Sequence, residues 1–146
     1  MRKKCIALLL AAAAVFVLAA CSSGKAEPPD LTGDWIQPSD GAFYHIATVT
    51  DDKIEIWWYL PEDDLRALYW SGSFTPPETG KEPYQWESAN AFTEAELDAS
   101  NAYVRASREE VKTFTYKKGQ LSYNVTAGHL RMTYTLERAE EAANNS

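Results

Sequence analysis

Lys53-Ile54-Glu55-Ile56-Trp57-Trp58-Tyr59-Leu60 alternates at period two and then breaks at Pro61-Glu62-Asp63-Asp64. The next run repeats the alternation, with Leu68, Trp70, Gly72 and Phe74 at every second position. Successive side chains on a strand point to opposite faces, so two such runs joined by a turn predict a half-buried antiparallel hairpin. If Tyr59 faces Ala67 across it, Trp57 faces Tyr69. Ile54, Ile56, Trp58, Leu68 and Trp70 then point inward, and Trp57, Tyr59 and Tyr69 gather on the other face as an aromatic cluster suited to recognition; the alternatives are that another sheet, a helix or the tether covers this face, or that the register is shifted by one and the faces exchange.

Outward from this hairpin the same period recurs in His45 to Thr50, Tyr84 to Ser88, Tyr103 to Ser107, Thr113 to Tyr116, Leu121 to Thr126 and Leu130 to Leu136, with a first strand near Trp35. Lys118-Gly119 and Ala127-Gly128 are short hairpin breaks. Some eight or nine strands at regular spacing predict an all-β domain over 31–138: a single small antiparallel barrel of about eight strands, with a β-sandwich as the alternative. That length suffices for one core and not for two. Trp58, Trp70, Phe74, Tyr123 and Tyr134 are bulky inward candidates, which favours a filled interior over a large calyx. Burying each contributes roughly 2–3 kcal/mol. Thr93-Glu94-Ala95-Glu96-Leu97 fits a capped helical turn or a loop. The tail 139–146 is polar, either frayed or one helical turn.

The N-terminus carries a different pattern. Met1-Arg2-Lys3-Lys4 precedes an apolar run that ends at Leu18-Ala19-Ala20-Cys21. A basic start, a short apolar core and small residues before a cysteine read as a bacterial lipoprotein export signal over 1–20, with Cys21 as the lipid acceptor. About 15 apolar residues fall short of the roughly 20 that a membrane-crossing helix needs. The N-terminus resembles that of bacterial lipoproteins, which implies two acyl chains on the cysteine; these suffice for stable anchoring, so the expected location is the extracytoplasmic face of the cell membrane. Ser22, not Asp, follows the cysteine, which in a two-membrane host permits transfer to the outer membrane. Residues 21–30 then form a lipidated cysteine and flexible tether with a reach of ~30 Å. Cys5 is removed with the signal, leaving no disulfide.

Removal of Arg2, Lys3 and Lys4 leaves 11 basic residues against 21 acidic ones, a formal charge of -10 in place of -7. So acidic a domain disfavours nucleic acid as a partner. The catalytic inventory is sparse. His45 and His129 are the only histidines, Asp51-Asp52 and Glu62-Asp63-Asp64 sit at predicted turns without the spacing of a calcium loop, and no serine has a Gly-x-Ser-x-Gly setting. No catalytic residue, metal ligand set or cofactor is expected, and both histidines read as ordinary strand or turn residues.

Gly33-Asp34-Trp35 resembles the opening motif of lipocalin-like barrels, a resemblance covering Leu31 to Trp35. It implies that Gly33 and Trp35 are structural and that Arg131 or Arg138, from the final strand, packs on the tryptophan ring. The runs Ile54 to Trp58, Leu68 to Phe74 and Phe114 to Tyr123 are similar to small uncharacterised surface lipoproteins of Gram-positive bacteria and their prophages. That similarity implies a location and no activity.

The expectation is therefore a lipid-anchored, extracytoplasmic, non-enzymatic domain that binds an envelope component or another protein through Trp57, Tyr59 and Tyr69. Two alternatives stand beside it: a lipocalin-like carrier of a small apolar ligand, and a prophage-type surface protein that interferes with superinfection. Oligomeric state is not legible.

Overall fold

Alternation becomes eight strands in a computed structural model that describes residues 26–39, 41–99 and 105–144. The export signal, Cys21 and the tether as far as residue 25 lie outside the described residues, as do Tyr103 and Val104 of one expected strand. The strands are β1 (Gly33–Ile36), β2 (Tyr44–Val49), β3 (Lys53–Leu60), β4 (Leu65–Ser73), β5 (Tyr84–Ala89), β6 (Val111–Lys117), β7 (Gln120–Ala127) and β8 (Leu130–Arg138). They form one antiparallel sheet in the order β4-β3-β2-β1-β8-β7-β6-β5, which curls into a nearly closed barrel. The expected barrel is the observed fold, and the sandwich is not.

The barrel closes where β4 meets β5. A single bridge joins Gly72 to Asn90, and the Ser73 hydroxyl accepts from the Ala89 amide at 2.9 Å. Inside, Trp70 Nε1 donates to Ser88 Oγ at 3.0 Å. A Cβ at Gly72 would lie 2.3 Å from Ser88 Oγ and 2.7 Å from the Ala89 carbonyl, so the seam closes only because that residue has no side chain.

The two ends of the barrel differ. One is packed shut. There Trp35, Phe114, Leu121 and Leu136 are almost fully buried, and so is Leu31, whose carbonyl accepts from Trp35 Nε1 at 3.1 Å. Arg138 holds this plug: its guanidinium lies 4.3 Å over the Trp35 ring and donates to the Thr32 and Asp30 carbonyls. Gly33 has φ +111° and its Cβ position is 3.0 Å from the Arg138 guanidinium, so the glycine serves both backbone and packing. The arginine on Trp35 is thus Arg138. Arg131 sits at the other end of β8, opposite Thr126 and exposed, because two residues of the final strand seven positions apart cannot reach the same end.

At that other end the described parts of the chain between β5 and β6, residues 90–99 and 105–110, form a lip. Thr93 caps α1 (Glu94–Ala99): its hydroxyl accepts from the Glu96 amide, and the Glu96 carboxylate accepts from the Thr93 amide at 2.8 Å. Beyond it, Arg105 to Ser107 are irregular and not the expected strand. The Asn90 side chain donates to the Ser107 and Glu109 carbonyls, and these bonds hold the segment against the edge of β4. The tail forms α2 (Ala139–Asn144).

Candidate functional site

The hairpin register decides what faces the interior. Ile56 pairs with Trp70, as the uninterrupted alternation expects, but Trp57 pairs with Leu68 and Tyr59 with Arg66. Tyr69 is the extra residue of a β-bulge. A bulge turns two neighbouring side chains toward one face, and Tyr69 and Trp70 are both buried, at 5% and 0% exposure. The Tyr69 carbonyl, unpaired across β3, accepts from the Ser107 amide of the lip at 2.8 Å. The expected trio therefore separates. Trp57 and Tyr59 lie outside, Tyr69 inside, and Leu68 outside beside Trp57 in place of its expected inward position.

On the outer face, Ile46, Trp57 and Leu68 form a cross-strand row, with Tyr44, Tyr59 and Arg66 next to it. Tyr44 and Tyr59 meet edge to face at 5.2 Å, Arg66 lies 5.2 Å over the Tyr59 ring, and Tyr59 Oη donates to Asp64 at 3.2 Å. The Tyr59 phenol is raised above its ordinary value, first by desolvation and then by Asp64.

Inside, the bulge completes a cluster around His45. The imidazole is fully buried, 3.9 Å from the Trp58 ring at 87° and stacked 4.2 Å from Tyr134, with Tyr69 and Tyr123 at 5.7 Å. Burial, reinforced by the nearby Lys112 ammonium, pushes the His45 pKa from 6.5 to about 3. Burial also holds the Tyr123 phenol well above its ordinary range. Both groups are neutral at pH 7 and share a hydrogen bond between Tyr123 Oη and His45 Nδ1, while Nε2 has no hydrogen-bond partner among the described residues. His45 lies on a strand, as expected, but its setting is not an ordinary one. Nothing local in the sequence signalled its burial or the ring of aromatics around it.

Lys112 is the second buried polar group, inward on β6 and 3% exposed. Its ammonium pairs with Glu109, donates to the Asn124 carbonyl at 3.0 Å and lies 5.2 Å from the ring centroids of Tyr69 and Trp70. These partners satisfy a charge that would otherwise be very costly in the interior.

Above this layer the barrel is open. Trp58, Tyr69, Leu60, Val125 and Phe43 wall a cavity of about 910 Å³ under the lip. Phe43 meets the Trp58 ring at 5.1 Å. Arg105, Arg108 and Glu109 bring charge to the same wall. Among the described residues the interior is filled up to His45 and Tyr69, as expected, and open above them, where the expected filling does not continue. The volume falls within the usual range for a small-molecule site, roughly 300–1,000 Å³. Asp51, Asp52, Glu62, Asp63 and Asp64 are exposed turn residues, His129 lies in the exposed β7–β8 turn, and among the described residues no three His, Cys, Asp or Glu side chains cluster as metal ligands. No protein-family model, curated protein or solved structure matches the chain.

Proposed function

We propose that this chain is a non-enzymatic binding protein, held at the extracytoplasmic face of a membrane by lipidated Cys21, that takes the apolar part of a small envelope-associated molecule into the barrel mouth. One observation carries the reading: an open, aromatic-walled cavity of about 910 Å³ at one end of an otherwise packed barrel. Burying apolar surface there gains roughly 25 cal/mol per Å², so a ligand covering a few hundred Å² has enough driving force to bind. His45 supports a binding role over a catalytic one, since it is neutral and has no exposed surface for a solute to touch.

Titration with N-phenyl-1-naphthylamine, a neutral dye that fluoresces in apolar sites, tests this reading. Saturable binding should weaken at least about tenfold in Ala127→Trp, which fills the mouth from an exposed wall position; a tenfold loss is about 1.4 kcal/mol. Unsaturable dye uptake, or equal uptake by the blocked variant, would exclude the cavity as the site.

The outer row of Ile46, Trp57 and Leu68 beside Tyr59 favours a second reading, recognition of a cell-surface protein. Crosslinking in intact cells should then capture a specific partner that the Trp57→Ala/Tyr59→Ala variant loses at equal abundance.

A further inference from the structure

The cavity wall carries three charged side chains, and two of them are already matched. Glu109 pairs with Lys112, whose side chain is 2% exposed. Arg108 is paired on the solvent side, with Nη2 2.8 Å from Asp98 and Nη1 3.8 Å from Glu94 of α1. Arg105 is the third, and no carboxylate among the described residues pairs with it. Arg105 therefore brings an uncompensated guanidinium to the edge of a largely apolar wall. A guanidinium offers paired N–H donors to a carboxylate, sulfonate or phosphate, and the low-dielectric wall strengthens the attraction. It repels a cationic ligand and gains nothing from a neutral one.

We infer that the mouth selects an anionic amphiphile, with its apolar body against Trp58 and Leu60 and its acid group on Arg105. This rests on the cavity reading above and adds the chemical class of the ligand. Glu109 does not cancel the preference, because its charge is held by the buried Lys112 ammonium beneath it.

The test uses two dyes that share an anilinonaphthalene ring system, 8-anilinonaphthalene-1-sulfonate and neutral N-phenyl-1-naphthylamine, titrated into the whole chain carrying Cys21→Ser in detergent-free buffer. Arg105→Gln should weaken the sulfonate about tenfold and leave the neutral dye within about twofold, and added salt should erase the sulfonate's advantage in the parent chain. Displacement of the bound sulfonate by dodecanoate and by dodecyl phosphate, run side by side, distinguishes a carboxylate head from a phosphate head. The inference is overturned if the neutral dye binds while Arg105→Gln leaves the sulfonate unchanged, or if neither dodecyl acid displaces it. If neither dye binds the parent chain, the cavity reading itself fails and the inference with it. Arg105 is exposed, so its replacement leaves the packed end of the barrel untouched.

Discussion

His45 makes the stability of the barrel depend on pH in a definite direction. Its folded pKa of about 3 lies below the 6.5 of an unstructured histidine, so between these values the unfolded chain binds a proton that the folded chain refuses. Stability is therefore full above about pH 6.5 and falls as the pH drops toward 3. At about 1.4 kcal/mol per pH unit, the loss between pH 7 and pH 5 is about 2 kcal/mol. The other lowered groups, Asp30 and Glu96, are carboxylates that titrate below this window. Urea midpoints at the two pH values check this, with His45→Gln expected to flatten the slope whatever its effect at pH 7; an unchanged slope would mean that the imidazole is not neutral in the fold. At the packed end, Gly33→Ala forces a left-handed φ of +111° on alanine and brings its methyl to the Arg138 guanidinium. A loss of about 1–3 kcal/mol is expected in the same measurement.

Among the elements, the β4–β5 seam is the weakest join, since one bridge and a few side-chain bonds close it. Gly72→Ala puts a methyl within 2.7 Å of Ser88 Oγ, Trp70 Nε1 and the Ala89 carbonyl, and the last is backbone that cannot turn aside. We expect about 3 kcal/mol of destabilisation, with faster amide exchange at Ala91, whose N–H bonds to the Ser71 carbonyl across that seam at 2.8 Å. Exchange confined to β1 and β8 would place the weak join elsewhere. The strands themselves were legible because period two is a local property, and Ile54, Ile56, Trp58 and Trp70 face the way alternation predicts. The bulge was not legible. Leu68-Tyr69-Trp70 reads as unbroken alternation, and the insertion at Tyr69 is fixed by a carbonyl that finds its donor in Ser107, some forty positions along the chain. One register step on the turn side of that bulge moved Tyr69 from the outer face into the cavity wall and Leu68 out of the core. Arg138 could not be separated from Arg131 for a similar reason, since choosing between them needs the pairing of β8 with β1.

On the scale of the whole molecule, the two ends of the barrel set its orientation once the anchor is considered. Both ends of the described chain meet the packed end: the Gly80 amide bonds to the Ala26 carbonyl at 2.8 Å, and Arg138 closes over Asp30 and Thr32. Only residues 22–25 separate Ala26 from Cys21, a span of at most about 17 Å. If Cys21 carries the acyl chains, so short a link is expected to turn the packed end toward the bilayer. The mouth then stands farther out by the height of strands that rise about 3.3 Å per residue, on the order of 20 Å once tilted. In that orientation the proposed ligand would enter from the aqueous side and not laterally from the lipid. Energy transfer from a single dye on the protein to an acceptor in the headgroup layer tests this geometry, with the dye placed on Glu78→Cys in the β4–β5 loop at the packed end or on His129→Cys at the mouth. Transfer should be clearly stronger from position 78. Equal transfer from both positions would mean that the barrel lies on its side, which would bring the Ile46, Trp57 and Leu68 row within reach of the membrane and make that face, not the mouth, the surface that meets the lipid.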